Sequence, residues 1–289
     1  MGKSLPYDMG NAGDLLKHGV LAETLRHQLT LRPNQPIRFL DLFGGEPFSC
    51  KASEETVERV GKLSERALQD GQPDIHAHKY YGSGMLARKL GSSLSGHVSV
   101  FASDRDQGRR ERLCEAGLRP LEEAFPQLGD PANYDAYRAL DVIGSETTGN
   151  DLILVDPFDD FLESDDKGCN RAESVLPMLS QIAKSSTVLP FVLNKDPFNC
   201  VGRRYDEHLR NHLGGSVKMS CPPIRPSDVE GESTNYVDVV LAGSDLGGAP
   251  GEATYLRSRL EHLAQKLTDA LGLSERGRMM LRPRLIGRD

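Results

Sequence analysis

The chain has 289 residues, 38% of them hydrophobic, no Trp, and a formal net charge of −7. That length suits one large α/β domain with an ample core, and the acidity argues against a protein whose whole surface grips nucleic acid. No apolar run is long enough to cross a membrane, so no membrane partner is expected.

Five cysteines (Cys50, Cys114, Cys169, Cys200 and Cys221) stand apart with no C-x-x-C pair. This reads as reduced thiols in a cytoplasmic protein, with neither a disulfide framework nor a metal site. The opening "MGKSLPYDMG" lacks an apolar core of the signal-peptide kind, and Pro6 stands where an N-myristoylation start needs Ser or Thr.

In chain order, residues 14–30 predict a helix, capped by Asn11 or Asp14, with Leu21, Leu25 and Leu29 recurring every fourth position. Asp14, Lys17 and His18 have i, i+3, i+4 spacing and share a face of it. "IRFLDLF" (37–43) is a first strand, followed by Gly44 and Gly45, which allow close backbone approach to a ligand. A charged helical insertion is expected over about 49–79, and "YYGSGMLARKL" (80–90) turns into another helix. "HVSVFASD" (97–104) predicts a second strand, 107–117 a helix, "YRALD" (137–141) a short third strand, and "DLILVDP" (151–157) a fourth. A helix over 171–184 leads to a fifth strand, "STVLPFVLN" (186–194), where Pro190 is awkward for a central position. A helix (203–213), two strands ("GSVKMSC", "NYVDVVLAG") joined by a loop, and a helix (252–271) follow. The closing "RGRMMLRPRLIGRD" (276–289) reads as a solvated basic tail.

Strands alternating with helices predict a doubly wound, mostly parallel sheet. The two loop-joined strands must pair antiparallel at the C-terminal edge. This is the Rossmann-like architecture of class I methyltransferases, expected here as a single domain over 1–289. In such sheets ligands bind at the carboxyl ends of the strands. Asp41, Asp104, Asp141 and Asp156 each end a predicted strand. One such Asp is a commonplace cap or turn residue, but four in register point to a site. No G-x-G-x-x-G is present, so the dinucleotide fingerprint and the P-loop both fail.

Three stretches carry a family resemblance. "GNAGDLLKH" (10–18) resembles G-N-x-A-D-x-L-K-H with Gly13 at the Ala position, "YYGSGMLAR" (80–88) resembles Y-Y-x-G-S-P-x-x-A-R but is one residue shorter with Gly84 at the Pro position, and the order and spacing of "LDLFGG", "ALD" and "LVDP" fit as well. Over about residues 5–200 the chain resembles the RlmJ family, bacterial S-adenosylmethionine (SAM)-dependent methyltransferases acting on an adenine amine of 23S ribosomal RNA. The resemblance implies SAM as cofactor and ribosomal RNA as partner. It implies that Lys17, His18, Asp41, Gly44, Ser83, Asp104, Asp141 and Asp156 form the cofactor site, with Lys17 at the methionine carboxylate, Asp104 at the ribose and Asp141 at the adenine. Asp156, Pro157 and Phe158 would hold the target base. The family's D-P-P-Y is Asp156-Pro157-Phe158-Asp159 here, and its D-x-H-A-G-x-G loop has Phe43 and Pro47 in place of the His and last Gly. Those departures keep open a methyltransferase with another acceptor (DNA, a small molecule or a protein), or a non-catalytic SAM-binding relative.

Overall fold

The protein is seen in a computed structural model that describes residues 9–63, 66–94, 96–157, 171–194, 200–222, 236–243 and 250–287. The elements are α1 (Ala12–Leu31), β1 (Ile37–Asp41), β2 (Phe48–Ser49), α2 (Glu54–Leu63), α3 (Arg66–Gly71), β3 (Tyr80–Tyr81), α4 (Ser83–Ser93), β4 (Val98–Ala102), α5 (Gln107–Glu115), α6 (Leu121–Ala124), α7 (Ala136–Glu146), β5 (Asp151–Val155), α8 (Arg171–Ile182), β6 (Thr187–Asn194), α9 (Cys200–Leu213), β7 (Val217–Cys221), β8 (Tyr236–Gly243), α10 (Pro250–Leu271), α11 (Glu275–Leu281) and β9 (Arg284–Leu285). The main sheet runs β4-β1-β5-β6-β8-β7-β9, and β2 pairs with β3 in a small second sheet. β4, β1, β5 and β6 are mutually parallel, and β8, β7 and β9 add antiparallel. The fold is therefore the expected mixed α/β sheet with an antiparallel edge.

Strand residues alternate between two cores, as the two-residue period of a strand requires. Phe39, Leu152, Leu154, Leu189, Val239 and Leu241 face α1, α4 and α10. Leu40, Ile153, Val155, Val188, Val192 and Val240 face α7, α8 and α9. Val60, Leu63, Ala67 and Leu68 of the inserted segment join the first core. Pro190 is tolerated in central β6 because its pairing with β8 lapses at Leu189–Pro190 and resumes in the same register at Phe191↔Val239. Among the described residues, no helix is long and apolar enough to cross a membrane.

Two expectations are corrected. Residues 137–141 are helix, not strand: Asp135 caps α7 by accepting from the Tyr137 and Arg138 amides, and Ala136, Ala139, Leu140 and Ile143 are buried at helical spacing. The place beside β4 goes instead to a single parallel bridge, Phe101↔Arg119, which Pro120 cannot extend. The basic tail is not a free tail either. It forms α11 and β9, β9 pairs with β7, and Leu281 and Ile286 are buried.

Arg38 of β1 grips Asp151 at the start of β5 through two bonds of 2.7 Å, and that Asp is wholly buried. Asp151 also accepts from the Thr148 amide at 2.7 Å, so removing the Arg strips only part of its support. We expect Arg38→Ala to cost about 3 kcal/mol, the low end for orphaning a buried carboxylate. Urea unfolding measures this, and a loss under about 0.5 kcal/mol would mean the pair behaves as a screened surface bridge.

Candidate active site

Helix α1 is buried along nearly its whole length, between α3, α4, α10 and the β7–β8 strands. Every polar side chain on it must therefore find a partner inside the protein. Asn11 caps the helix by accepting from the Asp14 amide at 3.0 Å, and Asp14 accepts from the Gly10 amide at 3.0 Å. An acid in the first turn also suits the helix dipole. Asp14 lies 3.2 Å from the Lys17 ammonium, which donates to Asp156 at 2.6 Å and sits 4.8 Å above the Phe191 ring. Lys17 thus ties α1 to the loop after β5, and an ammonium that is only 5% exposed is held between two carboxylates.

His18 lies on the adjoining face. Its Nδ1 is 2.8 Å from the Tyr80 hydroxyl and its Nε2 is 3.1 Å from the Ser83 hydroxyl. Burial, then the neighbouring Lys17 charge, lowers its pKa to about 3, so the ring is neutral at physiological pH. The tautomer is open, since both hydroxyls can donate or accept. Ser83, the first residue of α4, is buried and held by this bond.

Asp41 ends β1, is 2% exposed, and among the described residues its carboxylate accepts one long bond, 3.3 Å from the Phe43 amide. Burial raises its pKa to about 7, helped by the Asp156 and Asp104 charges and opposed by Lys17 and that amide. Burial also raises the pKa of Asp156, against the pull of Lys17. Asp41 therefore stands electrostatically between Asp156 on one side and Asp104 on the other.

Asp104 follows β4. Its Oδ1 accepts from the Asp106 amide at 2.8 Å, and its Oδ2 from the Gly45 amide at 3.2 Å, with Arg109 Nη1 at 3.5 Å. Gly45 has φ +60°, a left-handed conformation that glycine adopts without strain. Gly44 is needed for a different reason from ligand approach: its amide donates to the Ser103 carbonyl at 2.8 Å, and an added Cβ would lie 2.7 Å from Leu113. Glu46 does not leave a raw negative charge here, because Arg112 binds it through two bonds of 2.8 and 2.6 Å.

The structure brings together Lys17, Asp41, Asp104 and Asp156, with His18 on the adjoining face of α1 bonded to Ser83 of α4. It does not bring in Asp141, which is exposed on α7. Pro157 is buried after Asp156, and Phe158, with Asp159, lies outside the described residues. Sequence reasoning missed Glu122, just beyond the Phe101↔Arg119 bridge. Its Oε1 is 3.5 Å from the Ser103 hydroxyl, and its buried Oε2 has no hydrogen-bond partner among the described residues. The partly buried Tyr134 donates its phenol to the Leu42 carbonyl at 2.9 Å, and desolvation, then the Glu122, Asp41 and Asp104 charges, raise its pKa well above its ordinary value. The available signal was the Pro120 after "GLR", a strand stop in a segment too short to read as a strand.

Chemically, this is a row of acceptors along three strand ends. A carboxylate such as Asp104 suits vicinal hydroxyls, an orphaned one such as Glu122 suits an amine, and the excess of acids around Lys17 suits a cationic group. Among the described residues, no group of three or more His, Cys, Asp or Glu is arranged to hold a metal ion.

No family model and no curated protein matches the chain. Among solved structures it is similar to protein LPL1258 of Legionella pneumophila strain Philadelphia 1, family DUF519, with 12% identity and a TM-score of 0.57 over 88% of this chain and 94% of that one. At this identity the likeness speaks for the fold alone. A provisional methyltransferase from Thermoplasma acidophilum aligns with 8% identity over 72% of this chain and 67% of that one, at a TM-score of 0.26, too low to bear on the argument.

Asp41 and His18 pull stability in opposite directions. The folded state keeps the Asp41 proton that the unfolded chain loses above its ordinary 3.8, so this stabilisation is full at low pH and is lost as pH rises through about 7. The folded state refuses the His18 proton that the unfolded chain takes below 6.5, so this stabilisation is full above 6.5 and is lost as pH falls toward about 3. Between the two ordinary values the slopes offset, each near ~1.4 kcal/mol per pH unit. We expect Asp41→Asn to make the melting temperature climb with pH across that window and to exceed the parent's at neutral pH. His18→Asn should make it fall with pH. Parallel curves for all three proteins would show that neither group is buried as described.

Proposed function

We propose that the protein is a SAM-dependent methyltransferase whose acceptor is an adenine exocyclic amine in RNA, ribosomal RNA in the first instance. The reading rests on one observation above all: Asp104, Asp41 and Asp156 lie at the carboxyl ends of adjacent parallel strands, with Lys17 reaching in from α1. It joins the resemblance of "GNAGDLLKH" and "YYGSGMLAR" to the RlmJ family. SAM would supply an activated methyl group.

The residues present fit such a cofactor. Asp104 offers carboxylate oxygens for ribose hydroxyls, held in place by the Gly45 and Asp106 amides. The unsatisfied Glu122 Oε2 replaces Asp141 as the acceptor for an adenine amine. Asp41 and Asp156 give the site the negative potential that a sulfonium and an ammonium require. Lys17, held at 2.6 Å by Asp156, acts as a positioning residue, since its charge favours the ionised Asp156. The ionised carboxylate accepts an N–H from the target amine more strongly than the protonated form does. With the Pro157 carbonyl accepting the second N–H, the nitrogen lone pair would be turned toward the methyl group. Catalysis on this reading is mostly orientation and directed dipoles.

A cation seated beside Asp41 would drive off its proton. SAM binding near neutral pH should therefore release a proton, read by calorimetry in buffers of different ionisation enthalpy, and Asp41→Asn should abolish the release. Asp104→Ala should weaken SAM binding by roughly 1.5–3 kcal/mol per charged bond lost with the fold retained. NAD should not bind. Calorimetry that finds NAD affinity and no SAM affinity would reject the cofactor assignment.

The acceptor is tested by transfer of radiolabel from SAM to total RNA, DNA and protein extract. Label should enter RNA, and Asp156→Ala should abolish transfer while SAM still binds, though more weakly. Label in DNA, in protein or in a small molecule would replace the acceptor, a reading favoured by the missing second Pro in "DPFD". No transfer with intact SAM binding would leave a non-catalytic relative.

A further inference from the structure

The C-terminal arginines build a second site that the proposed function does not use. Helices α10 and α11 enclose a cavity of about 370 Å³ lined by Arg257, Glu261, Gln265, Thr268, Arg278 and Arg282. Helix α11 packs on β7, so the cavity flanks the antiparallel edge of the sheet, away from the β4, β1 and β5 strand ends.

Its charges do not cancel. Arg257 Nε lies 3.4 Å from the Glu261 carboxylate. Arg278 donates through Nη2 to Gln265 at 2.8 Å, and its Nη1 lies 3.9 Å from Glu275. The Arg278 Nε–H, however, is buried and has no acceptor among the described residues. Arg282 is exposed and makes no hydrogen bond or ion pair with the described residues. A chain of net charge −7 thus gathers three guanidiniums around one void, against a single lining carboxylate. A buried charged donor left without an acceptor is costly, and an anion that accepts a hydrogen bond from the guanidinium offsets that cost.

We propose that this cavity binds a phosphate group, supplied either by the backbone of single-stranded RNA or by a small phosphorylated molecule, on Arg278 Nε and the Arg282 guanidinium. Two planar forks present N–H groups along more than one edge, which suits a tetrahedral oxyanion. The volume lies within the range of small-ligand sites and leaves room beyond the phosphate for a nucleotide-sized group. The inference stands apart from SAM binding, because none of these residues belongs to the strand-end site.

The test uses the full chain with two probes at low salt: inorganic pyrophosphate by calorimetry, and a short fluorescein-labelled single-stranded RNA by anisotropy. Arg282→Gln removes an exposed charge, so its melting temperature should match the parent's. Arg278→Lys keeps the charge but loses the Nε–H and the fork. Each variant should weaken binding by ~10-fold or more, and added salt should weaken the parent likewise. Loss of pyrophosphate binding in the variants identifies a small phosphate as the source, and loss of RNA binding alone identifies the backbone. Failure of the parent to bind either probe, or binding that Arg282→Gln leaves unchanged, overturns the proposal.

Discussion

A helix buried on nearly all sides that carries charge is the constraint around which this protein is arranged. Helix α1 places Asp14, Lys17, His18, Glu23, Thr24, His27 and Gln28 in the interior. An unpaired polar group there costs about 1–3 kcal/mol, more if charged. The fold answers with partners from distant parts of the chain. Asp156 comes from the end of β5, Tyr80 and Ser83 from β3 and α4, Arg259 from α10 through bonds of 3.0 and 3.1 Å to Glu23, and Thr187 from β6 through a 3.0 Å bond to Gln28. The helix is therefore fixed in rotation and depth by directed bonds as well as by its leucines. That fixing carries the Lys17 ammonium to the strand ends.

The strand ends are electrostatically unfinished. Asp41 is pressed by Asp156 and Asp104, and the protein's own relief is partial: Lys17 leans toward Asp156, and the Gly45 and Asp106 amides toward Asp104. A proton held on Asp41 near neutral pH is the form that relief takes. Glu122, with one buried oxygen left over, extends the row by one more acceptor. Structural ion pairs are normally closed on themselves. Buried acids that perturb one another's pKa values in this way mark a candidate functional site.

The two flanks of the sheet divide the charge. At the β4–β1–β5 end carboxylates dominate, and Glu46, which would add to them, is taken by Arg112. At the β7–β9 edge the arginines of α10 and α11 dominate. This separation is hidden in the net charge, which reports only that acids outnumber bases.

The sequence by itself determined the alternation of elements, the antiparallel edge and the strand-ending Asp41, Asp104 and Asp156, because buried strands and their polar termini are written in local apolar runs. It also determined that Asp14 and Lys17 share a face, since helical spacing is local. Only the tertiary structure decided what those residues meet. "YRALD" has a strand's length and ends in an acid, yet the Asp135 cap and an apolar face at helical spacing turned it into α7 and took Asp141 out of the site. Lys17 against Asp156, Glu122 beside Ser103, and the folded-back arginines of α11 and β9 are pairings across long sequence separations. No local pattern encodes them, because each is set by which surfaces the sheet order brings together.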